Sequence, residues 1–190
     1  IIEKAENLTE IKLGDSRESD VAMKVIADHS RAAAFLINDG ILPSNEGRGY
    51  VLRRIMRRAI RYGRNIGLKR PFLYQTAEVV FDIMKPAYPE LSEAAPFITN
   101  VIKNEEIRFL ETLDTGMKLL NDTLAEIEGA GQKQVPGDVC FKLYDTYGFP
   151  VDIVQDVVRD QNMRLDLDGF DRAMDQQRTR SRSVATFDRI

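Results

Sequence analysis

The chain is poor in the residues that metal and redox chemistry usually require. Its 190 residues include one cysteine and one histidine. A lone Cys140 excludes an internal disulfide and a multi-cysteine zinc site. A lone His29 excludes a two-histidine metal site and any relay between histidines. No apolar run approaches the ~20 residues that span a bilayer. The opening Ile1-Ile2-Glu3-Lys4-Ala5-Glu6 turns polar too soon for a signal peptide. The expectation is therefore a cytoplasmic chain with no membrane partner. A start at Ile rather than Met leads us to expect a fragment of a longer protein. Walker A and G-x-G-x-x-G loops are missing, as are repeats and low-complexity tracts. Gly47-Arg48-Gly49 is too short to cradle a phosphate by itself.

Acidic residues are also missing from one long stretch. Residues 47–77 hold Arg48, Arg53, Arg54, Arg57, Arg58, Arg61, Arg64, Lys69 and Arg70, with no Asp or Glu. The net charge of -3 is thus +9 on this stretch and -12 on the rest. Clustered arginine raises the local potential and speeds encounter with an anionic partner. The plainer alternative is a solvated basic helix face paired with acids elsewhere in the fold.

What is present is helical periodicity. Val21, Val25, Ile26, His29, Ala33, Leu36 and Ile37 recur at helical spacing, predicting a helix from Asp20, as cap, to Asn38. A loop of turn formers over 41–49 follows. The next predicted helix spans 50–67. On a wheel, Val51, Leu52, Ile55, Met56, Ala59, Ile60 and Ile66 share one arc. Arg53, Arg54, Arg57, Arg58, Arg61 and Arg64 share the other, spread along about 17 Å at 1.5 Å per residue. That is the scale of a few nucleotide phosphates. Further helices are expected over 72–84, 97–128, 151–161 and 169–182. The long one, 97–128, carries an apolar stripe from Ile98 to Ile127, read as a core seam. Loops are expected at 85–96 and 129–137, a short apolar element at 139–144 and a turn at 145–150. Beyond a short hairpin no strand pattern stands out. The fold class is all-α, an irregular multi-helix bundle with one long amphipathic helix. Residues 1–18 read as a partly helical linker, 19–182 as the domain and 183–190 as a tail.

None of these residues composes a catalytic or metal site. His29 follows Asp28 on the core side of its helix, Cys140 lies in an apolar run as an inert thiol, and Asp168 reads as a helix cap. Asp166, Asp168 and Asp171 do not have EF-hand spacing.

Two long strings carry more specific information. One runs from Val25-Ile26-Ala27-Asp28-His29-Ser30-Arg31-Ala32 through Asp39-Gly40 to Pro43-Ser44-Asn45-Glu46-Gly47-Arg48-Gly49-Tyr50-Val51-Leu52-Arg53-Arg54-Ile55-Met56-Arg57-Arg58-Ala59. The other is Phe141-Lys142-Leu143-Tyr144-Asp145-Thr146-Tyr147-Gly148-Phe149-Pro150-Val151-Asp152. In this order they resemble the helical middle domain of alanyl-tRNA synthetases, over roughly residues 21–180. The resemblance implies a tRNA-recognising segment of an alanine–tRNA ligase. The class II catalytic core, which uses ATP with Mg, would precede it, and the zinc-binding editing domain would follow. No cofactor is expected in this segment, and it should be inactive alone and monomeric. Its partners would be the tRNA(Ala) acceptor stem and the catalytic and editing domains of the same chain.

The resemblance further implies that Asn45 and Asp145 read a G·U wobble pair at the third position of that stem. The chemistry agrees. A wobble pair leaves the guanine 2-amino group unpaired in the wide, shallow minor groove of A-form RNA. A carboxylate or amide oxygen accepts from it. Arg48, Arg53, Arg54, Arg57, Arg58, Arg61 and Arg64 would hold the backbone, with Arg48, Arg53, Arg54 and Arg57, nearest the Asn45 loop, as first choices, because phosphate contacts position and base contacts specify. Other readings stay open: Asn45 as a turn former, Asp145 as a cap of the following turn, and the whole chain as a helical protein-interaction module with a basic face. Tyr144 and Tyr147 are read as packing residues.

Overall fold

A computed structural model describes residues 1–147 and 149–187, apart from the side chains of 178 and 180–187. The described residues are helical almost throughout, as expected. They divide into two compact units, 1–110 and 111–190. No described helix is long and apolar enough to cross a membrane.

The first unit is built around α2 (Arg17–Asn38). Ala22, Met23, Ile26, Ala33, Ala34 and Ile37 are fully buried along it. Four of these positions follow the i, i+3/i+4 spacing that brings side chains to one face. The small alanines let α3 (Gly47–Asn65) and α4 (Leu73–Met84) approach closely. Between α2 and α4, the buried hydroxyls of Ser30 and Thr76 bond each other at 2.7 Å and bond Ile26 O and Leu73 O. Two buried polar groups are thereby satisfied. The lead-in contains α1 (Ile2–Thr9), whose Ala5 is fully buried and which packs on α2 and α4. The expected cap of α2 is corrected. Ser16, not Asp20, accepts from Ser19 N, and Asp20 instead holds Gly14 N at 2.6 Å. The expected loop at 85–96 contains α5 (Pro89–Glu93), because proline suits the first turn of a helix, where its missing N–H costs nothing.

The long helix, α6 (Ala95–Gly129), gives its first part to this unit and the remainder to the second. Its buried positions in the first unit are Ile98, Ile102, Glu105, Glu106 and Phe109. The apolar stripe is therefore interrupted by two acids at positions where helical spacing calls for core residues.

In the second unit, Leu113, Leu120 and Leu124 of α6 belong to a core with Cys140, Leu143, Phe149, Ile153, Val154, Val157 and Val158. Gly116 leaves room for the Phe149 ring: a Cβ there would lie 2.0 Å from Phe149 Cδ2. Two-residue strands β1 (Gln134–Val135) and β2 (Arg164–Leu165) pair in parallel. A hairpin is thus replaced by a parallel pair, made possible because α7 (Gly137–Tyr147) and α8 (Val151–Asp160) form the crossover. The expected turn at 145–150 is also corrected. Asp145 to Tyr147 continue α7, and Gly148 lies outside the described residues. The last helix, α9 (Leu167–Phe187), starts earlier and ends later than expected. Its N-terminus is held by Asp166, whose Oδ1 accepts from Gly169 N at 2.9 Å; Asp168 does not take that role. Of the expected tail, residues 188–190 lie outside the described residues.

Candidate nucleic-acid interface

The loop between α2 and α3 is shaped by two glycines. Gly47 has φ +60°, a backbone region that glycine enters without steric cost. At Gly49 a Cβ would stand 2.3 Å from both Leu42 O and Ser44 Oγ, so only glycine lets the loop fold back on the helix. These glycines form the loop. Ser44 Oγ donates to Glu46 O at 2.8 Å, tightening the bend. Asn45 is left exposed at the start of the basic helix.

Asn45 has one fixed contact. Arg53, two turns along α3, donates from Nη1 to its Oδ1 and from Nη2 to Pro43 O at 3.4 Å. The Nε of Arg53 stands 3.1 Å from Oε1 of Glu105 on α6, and Arg57 Nε donates to the same oxygen at 2.9 Å. Glu105 is only 5% exposed. The Arg57 guanidinium also lies over the Phe109 ring, 4.9 Å from its centroid. One buried carboxylate therefore serves two guanidiniums, so that part of the +9 is neutralised inside the unit.

This changes the picture of the basic face. The wheel sets six arginines opposite the core, but the first part of α6 covers part of that arc. Arg61, near its centre, is 3% exposed and packs over the Tyr62 ring at 4.6 Å. Arg53, Arg57, Arg58 and Arg64 are half-buried, and Arg58 also approaches Tyr62. Arg48 and Arg54 are exposed. Long side chains bury their stems readily while charge stays at the tip. Glu105 went unnoticed because an acid is read as solvent-facing. The visible signal is its place in the stripe, between Ile102 and Phe109.

Asp145 belongs to the second unit and is exposed in the last turn of α7. A carboxylate there opposes the helix dipole, at a typical cost of ~0.3–1 kcal/mol. It does not cap the next helix, since α8 is preceded by Pro150 with no side-chain cap. Tyr144 meets the Phe170 ring edge-on at 5.9 Å but remains 41% exposed, so it borders the core and does not fill it. Tyr147 is likewise exposed.

The remaining titratable candidates are structural. His29 Nδ1 bonds Asp28 Oδ2 at 3.0 Å. Burial pushes the Cys140 thiol up to about 12, far from a reactive thiolate. Among the described residues, no three His, Cys, Asp or Glu side chains are placed to share a metal ion. With a protonated, buried thiol and one histidine already bonded, this donor set does not fit zinc.

Comparison with known proteins decides the family. The model of the class II (A) tRNA synthetases matches residues 1–189. The chain belongs to the alanyl family of class II tRNA synthetases. It is 64% identical over 92% of its length to an alanine–tRNA ligase of Desulfosudis oleivorans. Identity is 49% over 97% to that of Halalkalibacterium halodurans, and 51% over 97% to that of Nitratidesulfovibrio vulgaris. The chain spans about a fifth of the length of these relatives, 20%, 21% and 21% respectively. The similarity is to a segment of those alanine–tRNA ligases, in keeping with the two motifs.

Proposed function

We propose that this segment binds the acceptor stem of tRNA(Ala) and reads its third-position G·U pair for the whole ligase. The observation that carries the reading is Asn45, exposed on a glycine-shaped loop at the head of an arginine helix. Exposed Asp145, which has no capping role toward α8, supplies the acceptor that the guanine 2-amino group needs. Arg48 and Arg54, the exposed members of this arginine set, are the first choices for phosphate contacts, followed by Arg53, Arg57, Arg58 and Arg64. Buried Arg61 is better suited to holding α3 in place. Activation of alanine with ATP and Mg belongs to parts of the ligase outside this segment, which by itself should not aminoacylate.

The test is a paired titration with acceptor-stem RNA carrying G·U or G·C at the third position. A preference for G·U of roughly tenfold is expected, since one unpaired buried polar group costs ~1–3 kcal/mol. Asn45→Ala or Asp145→Ala should remove most of that preference and leave the salt slope nearly intact. Arg54→Ala should weaken both RNAs equally and reduce the slope by up to about one. Equal affinity and equal salt dependence for the two RNAs would sink the base-reading role.

A further inference from the structure

An arginine has five N–H donors and no acceptor. Its contact with the Asn45 amide therefore assigns the amide orientation without reference to density or convention. Because Arg53 Nη1 donates to Asn45, the carbonyl oxygen of Asn45 is turned back toward α3. The group left to face outward is the NH2 of the amide. An exposed asparagine ordinarily rotates between these orientations. Here rotation would set an NH2 group against a guanidinium, donor against donor.

The guanidinium is itself held. Its Nε stands 3.1 Å from buried Glu105, and its other terminal nitrogen donates to Pro43 O within the same loop. The two terminal nitrogens thus tie the loop backbone and the Asn45 side chain by hydrogen bonds, while the Nε edge faces Glu105 on α6 through charge alone, without a hydrogen bond. The fork is planar and rigid, so holding Nη2 on the loop carbonyl and the charge against Glu105 aims Nη1. Glu105 is shared with Arg57, which leaves the carboxylate little freedom to follow a moving partner.

We propose that Glu105 and Arg53 are positioning residues that hold Asn45 as a hydrogen-bond donor, so that the loop reads an acceptor on the RNA minor-groove edge. This rests on the base-reading function proposed above and changes its chemistry. The two reading residues have complementary roles. Asp145 accepts from the guanine 2-amino group. Asn45 donates to an acceptor in the same groove, a base N3 or O2 atom or a ribose hydroxyl. Donor and acceptor together define a pair more narrowly than two acceptors would.

Asn45→Asp separates the alternatives. The aspartate keeps an oxygen toward Arg53 and replaces the outward NH2 with a second oxygen. Asn45 is exposed, so this variant leaves the core untouched. With the same G·U and G·C acceptor-stem RNAs, Asn45→Asp should lose the preference as fully as Asn45→Ala, from roughly tenfold to about twofold or less. Glu105→Gln is the second variant. Removing the buried negative charge should leave affinity for the G·C stem unchanged or higher, while the preference for G·U falls at least about threefold. A purely structural role would lower both affinities together. A full preference in Asn45→Asp would overturn the donor orientation. An undiminished preference in Glu105→Gln would overturn the relay. No preference in the unaltered chain would remove base reading itself, and the relay with it.

Discussion

Glu106→Ala is expected to lower the stability of the chain by about 3 kcal/mol, because it strips the acceptor from the start of α4 and leaves a buried void. The first N–H groups of a helix have no partner within it. The residue before α4, Phe72, provides no side-chain cap. Glu106 provides it from α6. Its Oε1 accepts from Phe72 N at 2.9 Å and Leu73 N at 3.2 Å, and its Oε2 accepts from Leu73 N at 3.0 Å. The residue is fully buried. For a chain of this size the loss corresponds to a Tm lower by roughly 6–12 °C. Glu106→Gln retains an oxygen acceptor and should cost less than half as much.

The same side chain makes stability depend on pH. Burial pushes its carboxyl from 4.5 to about 7, against the opposing effect of the backbone N–H groups. The folded state therefore holds a proton that the unfolded state has released between those values. More protons bound in the folded state means stability that is present below pH ~4.5 and lost as pH rises toward about 7. Denaturation at pH 5 and pH 8 should show this loss in the native sequence and a flatter profile in Glu106→Gln. Parallel profiles for the two proteins would refute the assignment.

Gly137→Ala is expected to destabilise the second unit by about 3 kcal/mol, the upper range for overpacking. The added Cβ would lie 2.2 Å from Phe170 N, 2.4 Å from Gly169 C and 2.6 Å from Asp166 O. All three are backbone atoms, so no side chain can turn aside. Relief requires α7 to part from the start of α9, which strains the neighbouring β1–β2 pair and the bond from Asp166 N to Val135 O at 3.0 Å. Gly129→Ala is the matching control. It has nothing within 4 Å of an added Cβ and ends a helix, so it should be neutral or slightly stabilising. Chemical denaturation followed by circular dichroism compares the two. Equal stability of both variants would show that the close approach at Gly137 is relieved cheaply.

Helix existence was legible wherever the apolar spacing was regular, as in α2, α3 and α6. The segment 139–150 was harder. Val139, Cys140 and Leu143 make a helical face, yet glycine and proline nearby suggest a turn, and tertiary packing around Phe149 extends the helix through Asp145. Caps were shifted by a few residues: Ser16, not Asp20, holds Ser19 N, and Asp166, not Asp168, holds Gly169 N. Asn45 and Asp145 were recognisable only through the two motifs. Either residue in isolation looks like a turn former or a cap.

The amino-acid order by itself determined the all-α class, the segregation of +9 from -12 and the resemblance to the alanyl family. Periodicity suffices for these, because it states which residues turn away from a neighbouring core. It says nothing about whether a second helix covers the other side. Only the tertiary structure decided that α6 brings Glu105 onto the arginine arc, that Arg61 is buried and that Arg48 and Arg54 stay exposed. The physical reason is long-range pairing of charge. A carboxylate forty-eight positions from Arg57 meets it at 2.9 Å, and no local pattern in the chain encodes that meeting.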